Sequence, residues 1–223
     1  MTCMVDKIVA FDFSGTIIRK DMAKEASNRR FKMLGKEVDQ EWLEKAMATE
    51  EHYKVNNEII SKYTGVKSKE KLNDLSTSFF KYHMLGLASE KKDDVFYAEI
   101  LDVINELKAK GNKIAIFSGI RKDTIEWMLE VLEKRTLFDY VIGQPPQLGI
   151  SNEDQLKELM EKGEISHVIG DKITDINAGK AIKSKTIFVT WGHAMGDEEN
   201  KADFVAKNPS EILKIVLAEE KKE

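Results

Sequence analysis

Three short stretches of this sequence combine acidic, hydroxyl and glycine residues at the end of an apolar run. They read FDFSGT at residues 11–16, FSG at residues 117–119 and GDKITD at residues 170–175. An aspartate such as Asp12, at the end of an apolar strand and close to a glycine, is held at the mouth of a sheet within flexible backbone. A hydroxyl such as that of Ser118, beside amides that open a helix, can bind phosphate oxygens. The pattern indicates a site for a small anionic substrate.

Asp171 and Asp175 add two carboxylates to that of Asp12. If the three runs are parallel strands of one sheet, their carboxyl ends meet at one edge, where three like charges are unfavourable without a cation. We therefore expect a hard divalent ion with oxygen ligands, and Mg²⁺ is the ion that typically couples a few carboxylates to a phosphate. Asp175 also suits the first turn of a helix, where the helix dipole favours negative charge, and that position does not exclude metal binding.

The elements that must position these side chains alternate between strands and helices. Five apolar runs lack strict polar alternation, as is typical of buried parallel strands, and a short edge strand is predicted at residues 204–205. The five runs are residues 7–13, 113–117, 140–143, 167–170 and 185–190. Helical spacing of apolar residues occurs at residues 94–110, 121–134 and 151–162. This order predicts an α/β fold with a doubly wound, Rossmann-like parallel sheet.

Residues 19–89 interrupt the alternation, because they contain no convincing strand and show helical patterns throughout. Helix starts and helix ends are both marked by residue type. The predicted caps are Asp21, Asp39 and Ser68, and the predicted ends are Gly35, Thr64-Gly65 and Gly86. We expect a four-helix insert after the first strand, which gives a core domain of residues 1–18 and 90–223 and a cap domain of residues 19–89.

Composition limits the classes of function. A net charge of −4 gives no general basic field for nucleic acid, and no apolar stretch reaches the roughly 18 residues of a membrane span. The single cysteine, Cys3, cannot form an internal disulfide, and no cleavable signal pattern is present. We expect a cytosolic protein that acts on a small substrate and binds neither nucleic acid nor membrane; the sequence does not define its oligomeric state.

The ordered set Asp12-x-Ser14-Gly15-Thr16, Ser118-Gly119 and Gly170-Asp171-x-x-x-Asp175 resembles motifs one, two and four of the haloacid dehalogenase superfamily. The predicted helical insert is similar to the cap of that superfamily's first subclass, which contains phosphoglycolate phosphatases, β-phosphoglucomutases and phosphonatases. The resemblance covers nearly the whole chain. It implies a magnesium-dependent phosphatase that hydrolyses a small phosphorylated metabolite.

The resemblance also implies roles for individual residues. Asp12 would be the nucleophile that forms an aspartyl-phosphate, and Ser118 would bind the transferring phosphoryl group. Thr16, Gly119 and Lys172 are the further candidates for phosphate binding, and Ser14 shares the catalytic motif with Asp12. The implied magnesium ligands are Asp12, the carbonyl of Ser14, and Asp171, with Asp175 in support.

Two positions depart from the pattern of the phosphatases. Ser14 stands where they have a second aspartate, which serves as acid for the leaving group and then as base for water, and a hydroxyl titrates too far from neutrality for that work. In this respect the chain resembles ion-pumping ATPases, which have threonine, and phosphonatases, which have alanine. The lysine of the third motif is missing, because residues 144–147 read QPPQ. Lys172 or Lys157 could substitute for it, although either would more commonly be a solvated surface lysine.

Other interpretations remain open. Ser14 and the missing lysine also suit a binding or regulatory protein of low activity. A hydrolase of the dehalogenase or phosphonatase type is a second enzymatic alternative, but a dehalogenase needs no metal and would leave Asp171 and Asp175 uncompensated.

Three further groups of residues are expected to have mainly structural roles. Residues 191–193 are expected at the pocket rim, where His193 is more simply structural. Arg29, Arg30 and Lys32 are expected on a solvated helix face rather than on substrate. Phe79, Phe80 and Tyr82 are expected in the core.

Overall fold

The central feature of the fold is a parallel sheet of six strands. A computed structural model of the chain describes residues 6–48, 51–145, 149–193, 196 and 198–220. The strands are β1 (Lys7–Asp12), β2 (Lys113–Phe117), β3 (Tyr140–Val141), β4 (Glu164–Gly170), β5 (Lys185–Val189) and β6 (Phe204–Ala206). Their order is β3-β2-β1-β4-β5-β6, and every neighbouring pair is parallel. The predicted α/β class and the six predicted strands are confirmed.

The described residues also form ten α-helices. They are α1 (Lys20–Met33), α2 (Gln40–Ala48), α3 (Glu51–Thr64), α4 (Lys69–Lys91), α5 (Ile100–Ala109), α6 (Lys122–Val131), α7 (Asn152–Met160), α8 (Ile173–Ala181), α9 (Glu198–Lys201) and α10 (Pro209–Glu220). The first five lie between β1 and β2 along the chain, and α1 to α4 fill the stretch where the strand and helix alternation was predicted to be interrupted. No helix in these ranges has the length and apolar character needed to cross a bilayer.

The central strand β1 is buried on both of its faces. Val9 and Phe11 face one hydrophobic cluster, and Ile8 and Ala10 face the other, so side chains alternate between two helical layers. All four residues have no solvent exposure. Burial on both faces is why this strand reads as a continuous apolar run rather than an alternating one.

The register of the sheet places the candidate residues at one edge. Asp12 pairs with Phe117 of β2, so Ser118 lies one position beyond the end of that strand. On the other side, Phe11 pairs with Ile169 of β4, so Asp171 also follows directly beyond the sheet. The chain order changes direction at β1, and in such sheets ligands bind at the carboxyl ends around this point.

Several of the predicted caps in the insert are confirmed. The carboxylate of Asp39 accepts a hydrogen bond from the Trp42 N–H at 2.8 Å at the start of α2, and the Ser68 hydroxyl accepts one from the Lys71 N–H at 3.4 Å at the start of α4. Gly35 and Gly65 end α1 and α3 with φ values of +70° and +74°, a conformation that favours glycine.

Three boundaries were predicted wrongly. Asp21 does not cap α1, because its carboxylate accepts from the Arg19 guanidinium at 3.1 Å instead of from a backbone amide. Gly86 does not end α4, which continues to Lys91. The helix predicted from residue 94 begins at Ile100, because residues 95–97 pair with the chain leaving β1: the Arg19 N–H donates to the Val95 carbonyl at 2.8 Å.

Side-chain placement in the insert also differs from the prediction at two points. Arg30 is fully buried rather than on a solvated face, and its guanidinium lies over the rings of Phe31 and Phe80 at 5.8 and 5.4 Å from their centroids. It also donates to the carbonyl and hydroxyl of Ser76, each at 3.3 Å. Phe80 is in the core as expected, whereas Tyr82 is 71% exposed.

Gly86 gives a direct test of the long helix α4. A Cβ at this position would meet no atom within 4 Å other than those of its chain neighbours and of the helix's own backbone. Because glycine costs about 0.5–1 kcal/mol relative to alanine in a helix interior, Gly86→Ala should raise the free energy of unfolding by that amount in urea denaturation.

The contrasting variant is Gly179→Ala in α8. There a Cβ would lie 2.6 Å from Thr186 Cγ2 and 2.9 Å from Val168 Cβ, so overpacking should lower the free energy of unfolding by about 1–3 kcal/mol. A loss of stability in Gly86→Ala would contradict the continuous helix.

Candidate active site

Three aspartates converge at the carboxyl edge of the sheet. Asp12 is the last residue of β1, Asp171 directly follows β4, and Asp175 lies in the first turn of α8. All three are buried, and one carboxylate oxygen of each lies within 4.8 Å of the others. The sequence predicted this convergence from the strand ends alone.

The cluster disfavours its own negative charge. Burial raises the pKa of Asp12 well above its usual value, and the charges of Asp175 and Asp171 raise it further. Burial, followed by the charge of Asp171, raises the pKa of Asp175 to about 7. Burial likewise raises the pKa of Asp171. Lys172 opposes the shift in all three cases, so one lysine alone does not compensate the three carboxylates.

The donor set fits a hard divalent cation. Carboxylate oxygens are the ligands that such ions prefer, and three of them approach one another here. Asp171 Oδ1 is buried and has no hydrogen-bond partner among the described residues. A buried acceptor without a donor is costly, and a bound cation would remove that cost.

Asp175 is fixed from two sides. Its Oδ2 accepts from the Lys172 N–H at 3.0 Å, which caps α8, and its Oδ1 accepts from Asn152 Nδ2 at 2.7 Å. The expected helix-terminal role is therefore present together with membership of the cluster. Asn152, the first residue of α7, was missed by sequence reasoning, because an asparagine at the start of a helix is usually read as part of the turn before it.

Ser14, Gly15 and Thr16 form the loop after β1. Gly15 has a φ of +99°, and a Cβ there would collide with the Asp171 carboxylate and lie 2.8 Å from His193 Cδ2. Only glycine allows the loop to pass this close to Asp171, which follows β4. Thr16 is fully buried, and Ser14 is partly buried.

Ser118 is buried at the end of β2, and Gly119 beside it is exposed. The side chain of Gln155 clamps the backbone of Ser118: the Ser118 N–H donates to Oε1 at 2.9 Å, and Nε2 donates to the Ser118 carbonyl at 3.0 Å. The Ser118 hydroxyl accepts from the Ile120 N–H at 3.2 Å. Gln155 is fully buried in α7 and was also missed, since its partner is 37 residues away in sequence.

Of the two lysines considered as substitutes for the missing motif-three lysine, only Lys172 is at the cluster. Its charge lowers the pKa of each aspartate. Lys157 is 56% exposed and forms an ion pair with Glu153 at 2.6 Å. Residues 144–147, where the motif-three lysine is missing, are described only in part. Pro146 and Gln147 lie outside the described residues, and so does Cys3.

The loop after β5 lies against the carboxylate cluster, on the expected side of the sheet. The His193 N–H donates to Asp171 Oδ2, and a Cβ on Gly192 would collide with the Asp171 side chain. The indole N–H of Trp191 donates to the Thr16 carbonyl at 3.3 Å, and its own carbonyl accepts from the Tyr97 hydroxyl at 3.1 Å. The loop therefore holds Asp171 in place through backbone groups.

Two named proteins are similar to this chain in sequence. Phosphoglycolate phosphatase from Aquifex aeolicus is 27% identical over 228 residues, which cover 94% of this chain and 96% of that protein. Pyrophosphatase PpaX from Bacillus cereus is 26% identical over 159 residues, covering 66% of this chain and 70% of that protein.

Solved structures show the same fold. A hydrolase of the haloacid dehalogenase-like family from Streptococcus pneumoniae has a TM-score of 0.69 at 18% identity and covers 95% of this chain and 98% of its own. A mutant of CbbY from Rhodobacter sphaeroides, in complex with xylulose-(1,5)bisphosphate, has a TM-score of 0.70 at 17% identity, with coverages of 93% and 96%.

A family model for haloacid dehalogenase-like hydrolases matches residues 9–189. This range includes the strand ends that carry Asp12, Ser118 and Asp171, together with the whole helical insert. Because the match spans most of the chain, the protein belongs to the haloacid dehalogenase-like hydrolases.

Proposed function

We propose that this protein is a magnesium-dependent phosphatase that hydrolyses a small phosphorylated metabolite through an aspartyl-phosphate on Asp12. The observation that carries the proposal is the buried cluster of Asp12, Asp171 and Asp175 beside the Ser118 loop. The family, and relatives named as phosphatases and pyrophosphatases, support a phosphate ester or anhydride as substrate. The bisphosphate bound to CbbY supports a small phosphorylated molecule.

The chemistry divides into two displacements. A carboxylate oxygen of Asp12 attacks phosphorus while the bond to the leaving oxygen breaks, and water then cleaves the acyl phosphate to release inorganic phosphate and the free carboxylate. The Ser118 hydroxyl, the Gly119 amide, Thr16 and the Lys172 ammonium are assigned to the phosphoryl oxygens. Lys172 thereby takes the place of the missing motif-three lysine.

The magnesium ligands are assigned to Asp12, the Ser14 carbonyl and Asp171, with Asp175 in support. When bound, Mg²⁺ supplies positive charge to the carboxylates and to the phosphoryl oxygens. Asp171 is oriented for this role by the His193 amide, and Asp175 by Asn152. Such supporting hydrogen bonds commonly fix the ligands of a metal site.

We also propose that residues 19–89 act as a cap over the site, on a core of residues 1–18 and 90–223. The insert contacts the core next to the Ser118 loop through ion pairs, Arg121 with Asp74 at 2.8 Å and Lys81 with Asp123 at 2.9 Å. A cap that closes over bound substrate would exclude water.

The two alternatives are less favoured. A dehalogenase would have no use for the paired carboxylates Asp171 and Asp175, and the named relatives act on phosphate compounds. A regulatory protein would retain the metal site but would hydrolyse phosphate esters poorly. The hydrolysis assay of the first prediction below tests this alternative. A cytosolic location, and the absence of nucleic-acid and membrane partners, remain predictions from composition.

Asp12→Asn should abolish turnover, because an amide of the same shape fills the site but does not attack phosphorus. The measurement is hydrolysis of a phenolic phosphate ester with Mg²⁺ and with a chelator, and the matched control is Asp102→Asn, an exposed aspartate of α5. Full activity in Asp12→Asn, or wild-type activity that survives complete chelation, would contradict the proposal.

Gly192→Ala should weaken magnesium binding, because the added Cβ displaces Asp171 from the cluster. Loss of support to a metal ligand typically lowers metal affinity by about 10–100-fold. The readouts are the magnesium concentration that gives half-maximal activity and the rise in Tm on adding Mg²⁺, with Gly86→Ala as the matched glycine control. An unchanged magnesium dependence would show that Asp171 is not a ligand.

Ser14→Asp tests the missing acid and base. Without a carboxyl group at this position, the wild type should prefer phenolic or acyl phosphates to alkyl phosphates, and general acid assistance is typically worth about 10²–10⁴ in rate. The substitution should raise the rate on alkyl phosphates more than on phenolic ones, and acid-quench trapping should show more phosphoprotein in the wild type. If the wild type cleaves both classes equally fast, another group supplies the proton.

A further inference from the structure

Two lysines of the insert reach the rim of the carboxylate site. Lys20, the first residue of α1, donates from Nζ to the Gly192 carbonyl at 2.9 Å. Gly192 packs directly against Asp171, since a Cβ on this glycine would collide with the aspartate. Gly192 therefore contacts both the ammonium group of Lys20 and Asp171 of the carboxylate cluster.

Lys24 follows Lys20 by one helical turn, so the two side chains share a face of α1. Its Nζ forms an ion pair with Glu44 of α2 at 3.1 Å, and the two side chains are 29% and 50% exposed. An exposed ion pair of this kind contributes little to stability. The ammonium group of Lys24 can therefore exchange its partner for an anionic ligand at small cost.

Several charged side chains at the rim act on the imidazole ring of His193. Burial and the positive charges of Lys172, Lys20 and Lys24 together lower the pKa of His193 to about 4, while the charge of Glu44 opposes them. Three lysines and one glutamate therefore act on this ring, whereas the chain as a whole has a net charge of −4.

The phosphoryl group does not account for all of these lysines. Lys172 belongs to the core, beside the three aspartates, and is assigned to the phosphoryl oxygens. Lys20 and Lys24 belong to the insert, where Lys20 donates to the Gly192 carbonyl and Lys24 pairs with Glu44. A substrate with only one phosphoryl group would offer no second negative charge to these two ammonium groups.

We propose that Lys20 and Lys24 bind a second anionic group of the substrate, a carboxylate or a second phosphate, so that the enzyme prefers small phosphorylated metabolites with an anion at both ends. The inference rests on the proposed phosphatase function and adds the substrate class. The two lysines act as specificity residues, because they bind the end of the substrate that does not react.

Three substrates with the same two-carbon skeleton test the proposal. Phosphoglycolate ends in a carboxylate, ethylene glycol bisphosphate ends in a second phosphate, and 2-hydroxyethyl phosphate ends in a neutral hydroxyl. All three have an alkyl leaving oxygen, so the missing acid at Ser14 affects them alike. The wild type should show a kcat/KM at least about tenfold higher for one or both anionic substrates, since a tenfold ratio needs only about 1.4 kcal/mol and a hydrogen bond to a charged group contributes at least that much.

Lys20→Met and Lys24→Met should each lower the ratio of kcat/KM between the anionic and the neutral substrate by about tenfold. Lys20→Arg should retain most of the preference, because the positive charge remains. Lys32→Met is the matched control, an exposed lysine at the far end of the same helix. Its ratio should equal that of the wild type.

Binding measurements separate this inference from the proposed function. Asp12→Asn should bind phosphoglycolate more tightly than 2-hydroxyethyl phosphate in calorimetry, and adding Lys20→Met should remove the difference. Equal binding and equal kcat/KM for the charged and neutral ends would overturn the proposal, as would ratios that neither lysine variant changes. If no substrate is hydrolysed but the binding preference is present, the phosphatase function fails while the assignment of the two lysines stands.

Discussion

The packing of three carboxylates into one buried pocket is the constraint on which the rest of the structure depends. Burial disfavours the charged form of Asp12, Asp171 and Asp175, and each charge disfavours the other two. An unfolded chain keeps these groups apart, so the folded chain must hold them together against their repulsion. It does so through β1 and β4, which are paired side by side at the centre of the sheet between two hydrophobic layers.

The groups around the cluster orient the carboxylates more than they neutralise them. The Lys172 amide and Asn152 hold the two oxygens of Asp175, and the His193 amide holds one oxygen of Asp171. These donors are dipoles, whereas Lys172 brings a full positive charge that acts on all three aspartates. A site with fixed ligand orientation and an excess of negative charge is suited to a divalent cation.

The sequence predicted the parts of the site that depend on strand ends. Asp12 and Ser118 follow continuous apolar runs, and parallel strands necessarily bring such ends to one edge. Gln155 and Asn152 were not predictable in this way, because their roles depend on which side of α7 faces the sheet, and a polar residue within a helix has no periodic signal of its own. Gly86 was misread for a related reason, since glycine marks a helix end only where the backbone needs a positive φ.

The insert and the core meet at Lys20, and in the proposed assignment this contact links substrate binding to the geometry of Asp171. An ammonium group has three donors, and the Gly192 carbonyl uses one of them. Lys20 can therefore bind an anion with its remaining donors while it still holds Gly192. Because the next residue, His193, donates its amide to Asp171, a bound anion that fixes Lys20 also restrains the loop that orients this carboxylate. Recognition of the unreactive end of the substrate and alignment of the reacting end then involve the same few residues.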